Sequence, residues 1–194
     1  MSGVRRFAQW GLWFGGALVL LAAVLIGVDV LMRKFLARSI GGADELAGYA
    51  LAIGTTWGLG AALLDRAHIR IDSLYVLFPQ KLRLALDLVA LILLVGFFAM
   101  TGWHGLGVVA QSWTSGSRSQ SALETPTVIP QVLWIGGLAA FVAIGVILLV
   151  DAIRIMVSGD LRGAARLIST RSAEEEVEDE IRDLKDRRQR EGNG

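Results

Sequence analysis

Four long stretches of the chain contain no charged residue. They cover residues 7–28, 46–64, 88–117 and 125–150. A hydrocarbon core about 30 Å thick requires roughly 20 apolar residues in a helix, and each stretch meets that requirement. The stretches are apolar on every side, whereas helices around a soluble core keep a polar face. The pattern predicts an all-α integral membrane protein with four transmembrane helices, at about residues 7–30, 45–64, 84–111 and 127–150.

The distribution of basic residues predicts the orientation of these helices. Basic residues are enriched in cytoplasmic segments, and an N-terminus inside the cell places ten of them on the inner side and four on the outer side. The inner set is Arg5, Arg6, Arg66, Arg70, Lys81, Arg83, Arg154, Arg162, Arg166 and Arg171, and the outer set is Arg33, Lys34, Arg38 and Arg118. We therefore expect both termini in the cytoplasm.

The composition changes sharply at the end of the fourth stretch. Residues 1–157 are expected to form the membrane domain, and residues 158–194 a charged cytoplasmic tail. Within the tail, acidic residues precede basic ones, the order that the helix dipole favours, and Val177, Ile181 and Leu184 recur at helical spacing. The tail is expected to be helical; docking on a partner, pairing as a short coiled coil and remaining solvated are all open.

Small residues recur at every fourth position of the second helix, at Ala50, Gly54, Gly58 and Ala62. Such a row lies on one helix face and allows another helix to approach closely. The pattern does not distinguish a partner within the chain from one in another subunit. Trp57, near the middle of the same helix, is either a packing residue or a contact with another subunit.

The sequence offers no recognisable catalytic or cofactor-binding motif. It has no cysteine and two histidines, and it lacks a phosphate-binding loop, zinc spacing or Gly-x-Ser-x-Gly. We therefore expect no enzyme activity, no cofactor, no metal site and no nucleic-acid partner. Solute pathways need polar or ionisable groups near mid-membrane, and His104 with two threonines provides few. The chain is expected to be one component of a larger assembly, surrounded by membrane lipids.

The segment after the second helix carries a specific motif. Residues 57–72 read Trp-Gly-Leu-Gly-Ala-Ala-Leu-Leu-Asp-Arg-Ala-His-Ile-Arg-Ile-Asp. This run resembles the small permease subunit of tripartite ATP-independent periplasmic (TRAP) transporters, the DctQ family, and three further segments agree with it. The positions that carry the resemblance are Asp29, Arg33, Glu45, Trp57, Arg66, His68, Asp72, Ser121 and Pro126. With Gly54 and Gly58 of the small-residue row, they are the candidate structural and partner-interface residues.

The resemblance implies a subunit that scaffolds a large permease in the bacterial inner membrane. A periplasmic substrate-binding protein would deliver the solute, and an ion gradient, expected to be sodium, would drive its uptake. The segment from Arg66 to Asp72 would then form a charged network at the cytoplasmic interface. The alternative is a membrane anchor or assembly subunit of another inner-membrane complex.

Overall fold

The computed structural model describes residues 2–65 and 78–159, together with Gly163, Leu167, Ile181 and Leu184. The continuous ranges hold four helices: α1 (Ser2–Leu36), α2 (Ala43–Leu64), α3 (Gln80–Ser115) and α4 (Val128–Val157). Within the described residues, all four are long and apolar enough to cross a membrane. The prediction of four long apolar helices, each able to cross a membrane, is confirmed for the described residues.

Most of the helices are longer than the ranges predicted from the uncharged stretches. α1 and α3 are longer than the expected ranges at both ends, and α4 continues to Val157. A stretch without charges marks the hydrocarbon region, whereas backbone hydrogen bonding continues into the flanking polar turns. α3 also includes residues 112–115, beyond the predicted end of that helix at residue 111. It ends where Gly116 adopts the left-handed conformation (φ 61°), a common helix terminus.

The helices pack in the order α1–α2–α4–α3. The main contacts join α1 to α2, α2 to α4, and α4 to α3. The outer helices consequently leave broad apolar faces uncovered within the chain. Large side chains on these faces are Trp10, Trp13, Leu20, Leu21, Phe35, Leu93, Trp103 and Trp113. Such exposure suits a bilayer or a membrane partner, since soluble monomers rarely expose apolar patches of this extent.

The core lies where all four helices contribute side chains. Its buried members are Ala8, Ala61, Leu63, Leu91, Val95, Phe141, Ile144 and Leu148. Phe98 of α3 packs edge-on against Phe141 of α4, with ring centroids 4.7 Å apart. Gly60 of α2 faces Ile144 of α4, and Gly145 of α4 faces Val95 of α3. The two glycines therefore let α2 approach α4 and α4 approach α3 closely.

The crossing of α1 and α2 shows which part of the small-residue row packs within the chain. A Cβ atom built on Gly54 would lie 2.8 Å from the carbonyl oxygen of Gly15, and one built on Gly15 would collide with the backbone of Gly54. Gly54 is therefore packed inside the chain, against α1. Gly58 is looser, because its nearest neighbour would be a methyl group of Leu12 at 3.8 Å.

Candidate functional site

Asp29 organises the connection between α1 and α2. This residue is only 1% exposed. Oδ1 accepts hydrogen bonds from the hydroxyl of Ser39 (2.9 Å) and the backbone N–H of Ile40 (2.7 Å), while Oδ2 pairs with Arg33, one helical turn away, at 2.5 Å. Arg33 also approaches the exposed Asp44 at 3.6 Å. The carboxylate thus holds the end of α1 and the following loop in one arrangement.

Two glycines allow this loop to turn directly into α2. Gly41 and Gly42 have φ angles of 71° and 85°, which glycine adopts without steric cost. Gly42 is also the residue before the first turn of α2, and its carbonyl accepts the N–H of Leu46 at 3.0 Å. A Cβ atom on Gly42 would lie 2.5 Å from Leu123. The first loop therefore touches the loop between α3 and α4.

Glu45 forms the polar link between these two loops. The hydroxyl of Ser121 donates to Oε2 of Glu45 across 76 residues of sequence. Tyr49, Ser119 and Thr125 lie around the same carboxylate. Glu45 Oε1 is buried without a hydrogen-bond partner among the described residues. The first turn of α2 is thus attached to the α3–α4 loop by a side chain that the sequence had marked as a candidate.

The α3–α4 loop has internal hydrogen bonds that position Ser121. The N–H of Ser119 donates to the carbonyl of Thr125 at 2.9 Å, and the N–H of Thr127 donates to Ser117 at 3.1 Å. Arg118 and Pro126 form an isolated antiparallel bridge. Pro126 then leads into α4, because its carbonyl accepts the N–H of Ile129 at 3.1 Å. The candidates Ser121 and Pro126 therefore belong to one ordered loop.

Trp57 connects three helices from the middle of α2. Its indole N–H donates to the backbone carbonyl of Leu133 in α4 at 2.9 Å. Its ring packs edge-on against Phe14 of α1, with centroids 5.5 Å apart, and more loosely against Phe7. Gly137 of α4 leaves room for the indole, since a Cβ there would lie 2.9 Å from it. Trp57 is therefore a packing and hydrogen-bonding residue within the chain.

Replacing Trp57 by Phe is expected to weaken the junction of α2 with α4. Phe keeps an aromatic ring but removes the indole donor, and hydrogen bonds between membrane helices contribute about 1 kcal/mol or less. Unfolding by SDS in mild detergent micelles should show a loss of that size. Trp103→Phe is the matched control, because Trp103 is 75% exposed; equal stability of the two variants would contradict the assigned role.

The candidates fall into separate groups in the structure. One group joins Asp29 and Arg33 to Glu45, Ser121 and Pro126 through the two touching loops. Gly54, Gly58 and Trp57 lie farther along α2. Arg66, His68 and Asp72 lie outside the described residues, so the proposed charged network at that position stays a prediction.

Asp87 is a buried carboxylate that the search for motifs missed. It lies near the start of α3 and is 1% exposed, and it makes interactions within the chain. Its position one turn after Arg83, immediately before the third uncharged stretch, was the available signal. Asp29 and Asp87 are thus buried near opposite ends of the membrane domain, away from the mid-membrane region where few polar groups were expected.

The arrangement of these groups serves to hold helices and loops together. Within the part of the chain that the structure describes, no cluster of three or more His, Asp or Glu side chains could hold a metal ion. The observed partners of Asp29 and Glu45 are hydroxyl groups, a backbone N–H and an arginine. The four apolar helices are those of a multi-pass membrane protein. Its polar side chains hold the loops between the helices in place.

Comparison with known families identifies this membrane protein further. The chain matches the family described as "Tripartite ATP-independent periplasmic transporters, DctQ component" over residues 10–155. The chain belongs to the DctQ family, the small permease component of TRAP transporters, and is a permease subunit rather than an enzyme. No curated protein and no solved structure matches it. The matched range includes most of the first apolar stretch, all of the other three, and the two loops joined by Glu45.

Proposed function

We propose that this chain scaffolds the large permease subunit of a TRAP transporter and helps to dock the periplasmic substrate-binding protein. The transporter would use an ion gradient, expected to be sodium, to drive solute uptake across the bacterial inner membrane. The observation that carries the proposal is the family match over residues 10–155. A tripartite transporter implies both a large permease and a binding protein as partners.

The polar groups within the helices support a scaffolding role. The hydroxyls of Thr55, Thr56 and Thr101 donate to carbonyls of their own helices. The indole N–H of Trp57 donates to a backbone carbonyl of α4. These polar groups are hydrogen-bonded within the chain, whereas a solute or ion site needs polar groups directed into a shared pathway. We assign the pathway to the large permease.

The apolar faces of α1 and α3 provide the surface for that permease. Both helices lie at the ends of the row, and each exposes large side chains, among them Leu20 and Leu21 on α1 and Leu93 on α3. Association of helices in lipid depends on close packing and hydrogen bonds, because the hydrophobic effect is absent there. A broad face without internal partners is consistent with such an interface.

The two touching loops provide the surface for the binding protein. They lie at the end of the membrane domain opposite the N-terminus of α1, which is the periplasmic end if both termini are cytoplasmic. Asp29 and Glu45 limit their motion by hydrogen bonds at each side. A surface that is already ordered reduces the entropy lost when a partner binds.

The orientation can be tested by cysteine accessibility, since the chain has no native cysteine. Single cysteines at Ser2 and Ser117 are expected to react with a membrane-impermeant maleimide from opposite sides, position 117 from the periplasm. A third cysteine, at Gly192, should behave like the one at Ser2. Labelling of position 117 from the cytoplasmic side alone would reverse the assigned topology.

Co-purification tests the partnership itself. The affinity-tagged chain, extracted from its native membrane in mild detergent, is expected to retain a large permease. The variant Glu45→Ala should retain that permease, because it breaks the link between the first turn of α2 and the α3–α4 loop and leaves the exposed faces of α1 and α3 unchanged. It should bind the periplasmic protein less well. Recovery of the chain without any large permease would contradict the proposal.

A further inference from the structure

An apolar groove lies on the lipid-facing side of the helices, between α1, α2 and α4. Its volume is about 380 Å³, and it is lined by Phe7, Trp10, Gly11, Phe14, Trp57 and Leu133. Gly11 forms part of its floor, where a Cβ atom would lie 2.6 Å from the carbonyl oxygen of Trp57. The aromatic rings of α1 and α2 form its walls. The groove is separate from the polar contacts of the two loops.

The length of the groove corresponds to part of one bilayer leaflet. Phe7 and Phe14 mark its two ends on α1, and a helix rises about 1.5 Å per residue, so the groove extends roughly 10 Å along α1. The hydrocarbon core is about 30 Å thick. A transmembrane helix, about 10–12 Å wide with its side chains, would need a longer face. A single acyl chain, entering from the N-terminal side of the membrane, fits these dimensions.

A positive charge lies beside the open end of the groove. Arg6 is exposed and precedes Trp10 by one helical turn, so both side chains project from the same side of α1. The first turn of α1 contains no acidic residue, and the N–H groups there carry the positive end of the helix dipole. We propose that the groove binds an acyl chain of an anionic phospholipid whose phosphate lies at Arg6.

This lipid would fill the space beside Trp57, where α1, α2 and α4 meet. It would thereby stabilise the junction that the indole hydrogen bond forms. The inference does not rest on the transport role, because it concerns only the isolated membrane domain and the lipid around it. An apolar segment of a protein partner is the competing occupant.

The test measures lipid binding to the full chain purified in detergent micelles. Phosphatidylglycerol and phosphatidylcholine with identical acyl chains are titrated, and bound lipids are counted by native mass spectrometry. Phosphatidylglycerol is expected to bind about fivefold more tightly, the contribution of one arginine near a membrane surface. Arg6→Gln should remove this preference. Arg38→Gln, which removes an exposed arginine at the other end of α1, should keep it.

A second variant tests the acyl chain separately from the phosphate. Leu133→Trp places a large side chain in the groove but keeps the backbone carbonyl that accepts the Trp57 N–H. It is expected to lower binding of both lipids while leaving the ratio of their affinities unchanged. Undiminished binding to this variant would overturn the proposal, as would an equal preference for phosphatidylglycerol in Arg6→Gln and the wild type. Cross-linking of a cysteine at Phe14 to the permease, with no lipid retained, would also overturn it.

Discussion

Leucine in place of Gly15 is expected to destabilise the membrane domain severely, while leucine in place of the adjacent Gly16 leaves it intact. At Gly15 the first added carbon already collides with the backbone of Gly54, which cannot rotate away as a side chain can. At Gly16 no atom outside its own helix lies within 4 Å of the same carbon. Overpacking costs about 1–3 kcal/mol, and we expect the upper end of that range at Gly15.

The measurement is unfolding by SDS of each variant purified in mild detergent. Gly54→Leu should lose stability to a similar extent as Gly15→Leu, since the two residues face each other. Gly58→Leu should lose less, although it belongs to the same row, because its nearest neighbour is a side-chain methyl group at 3.8 Å. Equal losses at Gly54 and Gly58 would show that the row acts as a whole, against the packing described above.

Alanine in place of Asp29 is expected to release the loop between α1 and α2. The substitution leaves the N–H of Ile40 and the hydroxyl of Ser39 without their acceptor. A hydrogen bond to a charged group contributes about 1.5–3 kcal/mol, and water can replace part of it here because both donor residues are exposed. Arg33 is half exposed, so its lost ion pair adds little. Asp29→Asn should be milder, because its amide oxygen can still accept from Ile40.

Hydrogen–deuterium exchange of residues 37–42 gives the readout for this loop. Faster exchange is expected in Asp29→Ala, and a smaller increase in Asp29→Asn. Asp44→Ala is the matched control: it removes a carboxylate from the same arginine, but that carboxylate is 81% exposed and should contribute less than about 1 kcal/mol. If Asp44→Ala accelerated exchange as much as Asp29→Ala, the buried carboxylate would not be the organising group.

The four helices could be predicted from the sequence because a segment that crosses the hydrocarbon core must be long and nearly free of charge. Long stretches without charge predict spans, and all four are present. The ends of the helices were less predictable. α4 passes Asp151 and Arg154 before it stops, because charged residues at the interface are compatible with continued backbone hydrogen bonding.

The packing partners of individual residues could not be predicted from the sequence, because they depend on how the helices cross. The small-residue row marked one face of α2, yet only the crossing point with α1 decides that Gly54 is tightly packed and Gly58 is not. The partner of Trp57 is a backbone carbonyl, that of Leu133, and a carbonyl has no signature in the sequence. Motif resemblance identified Glu45 and Ser121 separately, but their pairing depends on the contact between two loops distant in sequence.

Asp87 shows where the sequence approach fails for a physical reason. Asp87 lies within the predicted third helix, at residues 84–111, but a carboxylate so close to a helix end is expected to be solvated. It is instead 1% exposed, and Leu84 and Leu91, three residues before it and four after it on the same helix face, are also buried. Neighbouring segments that cover a charged residue cannot be read from its local sequence.

Uptake by reconstituted proteoliposomes tests the scaffold role most directly. The chain alone, the large permease alone and both together would be compared, each with and without the periplasmic binding protein and an imposed sodium gradient. We predict substrate uptake only when all three proteins and the gradient are present. Uptake by this chain without the permease would contradict the account.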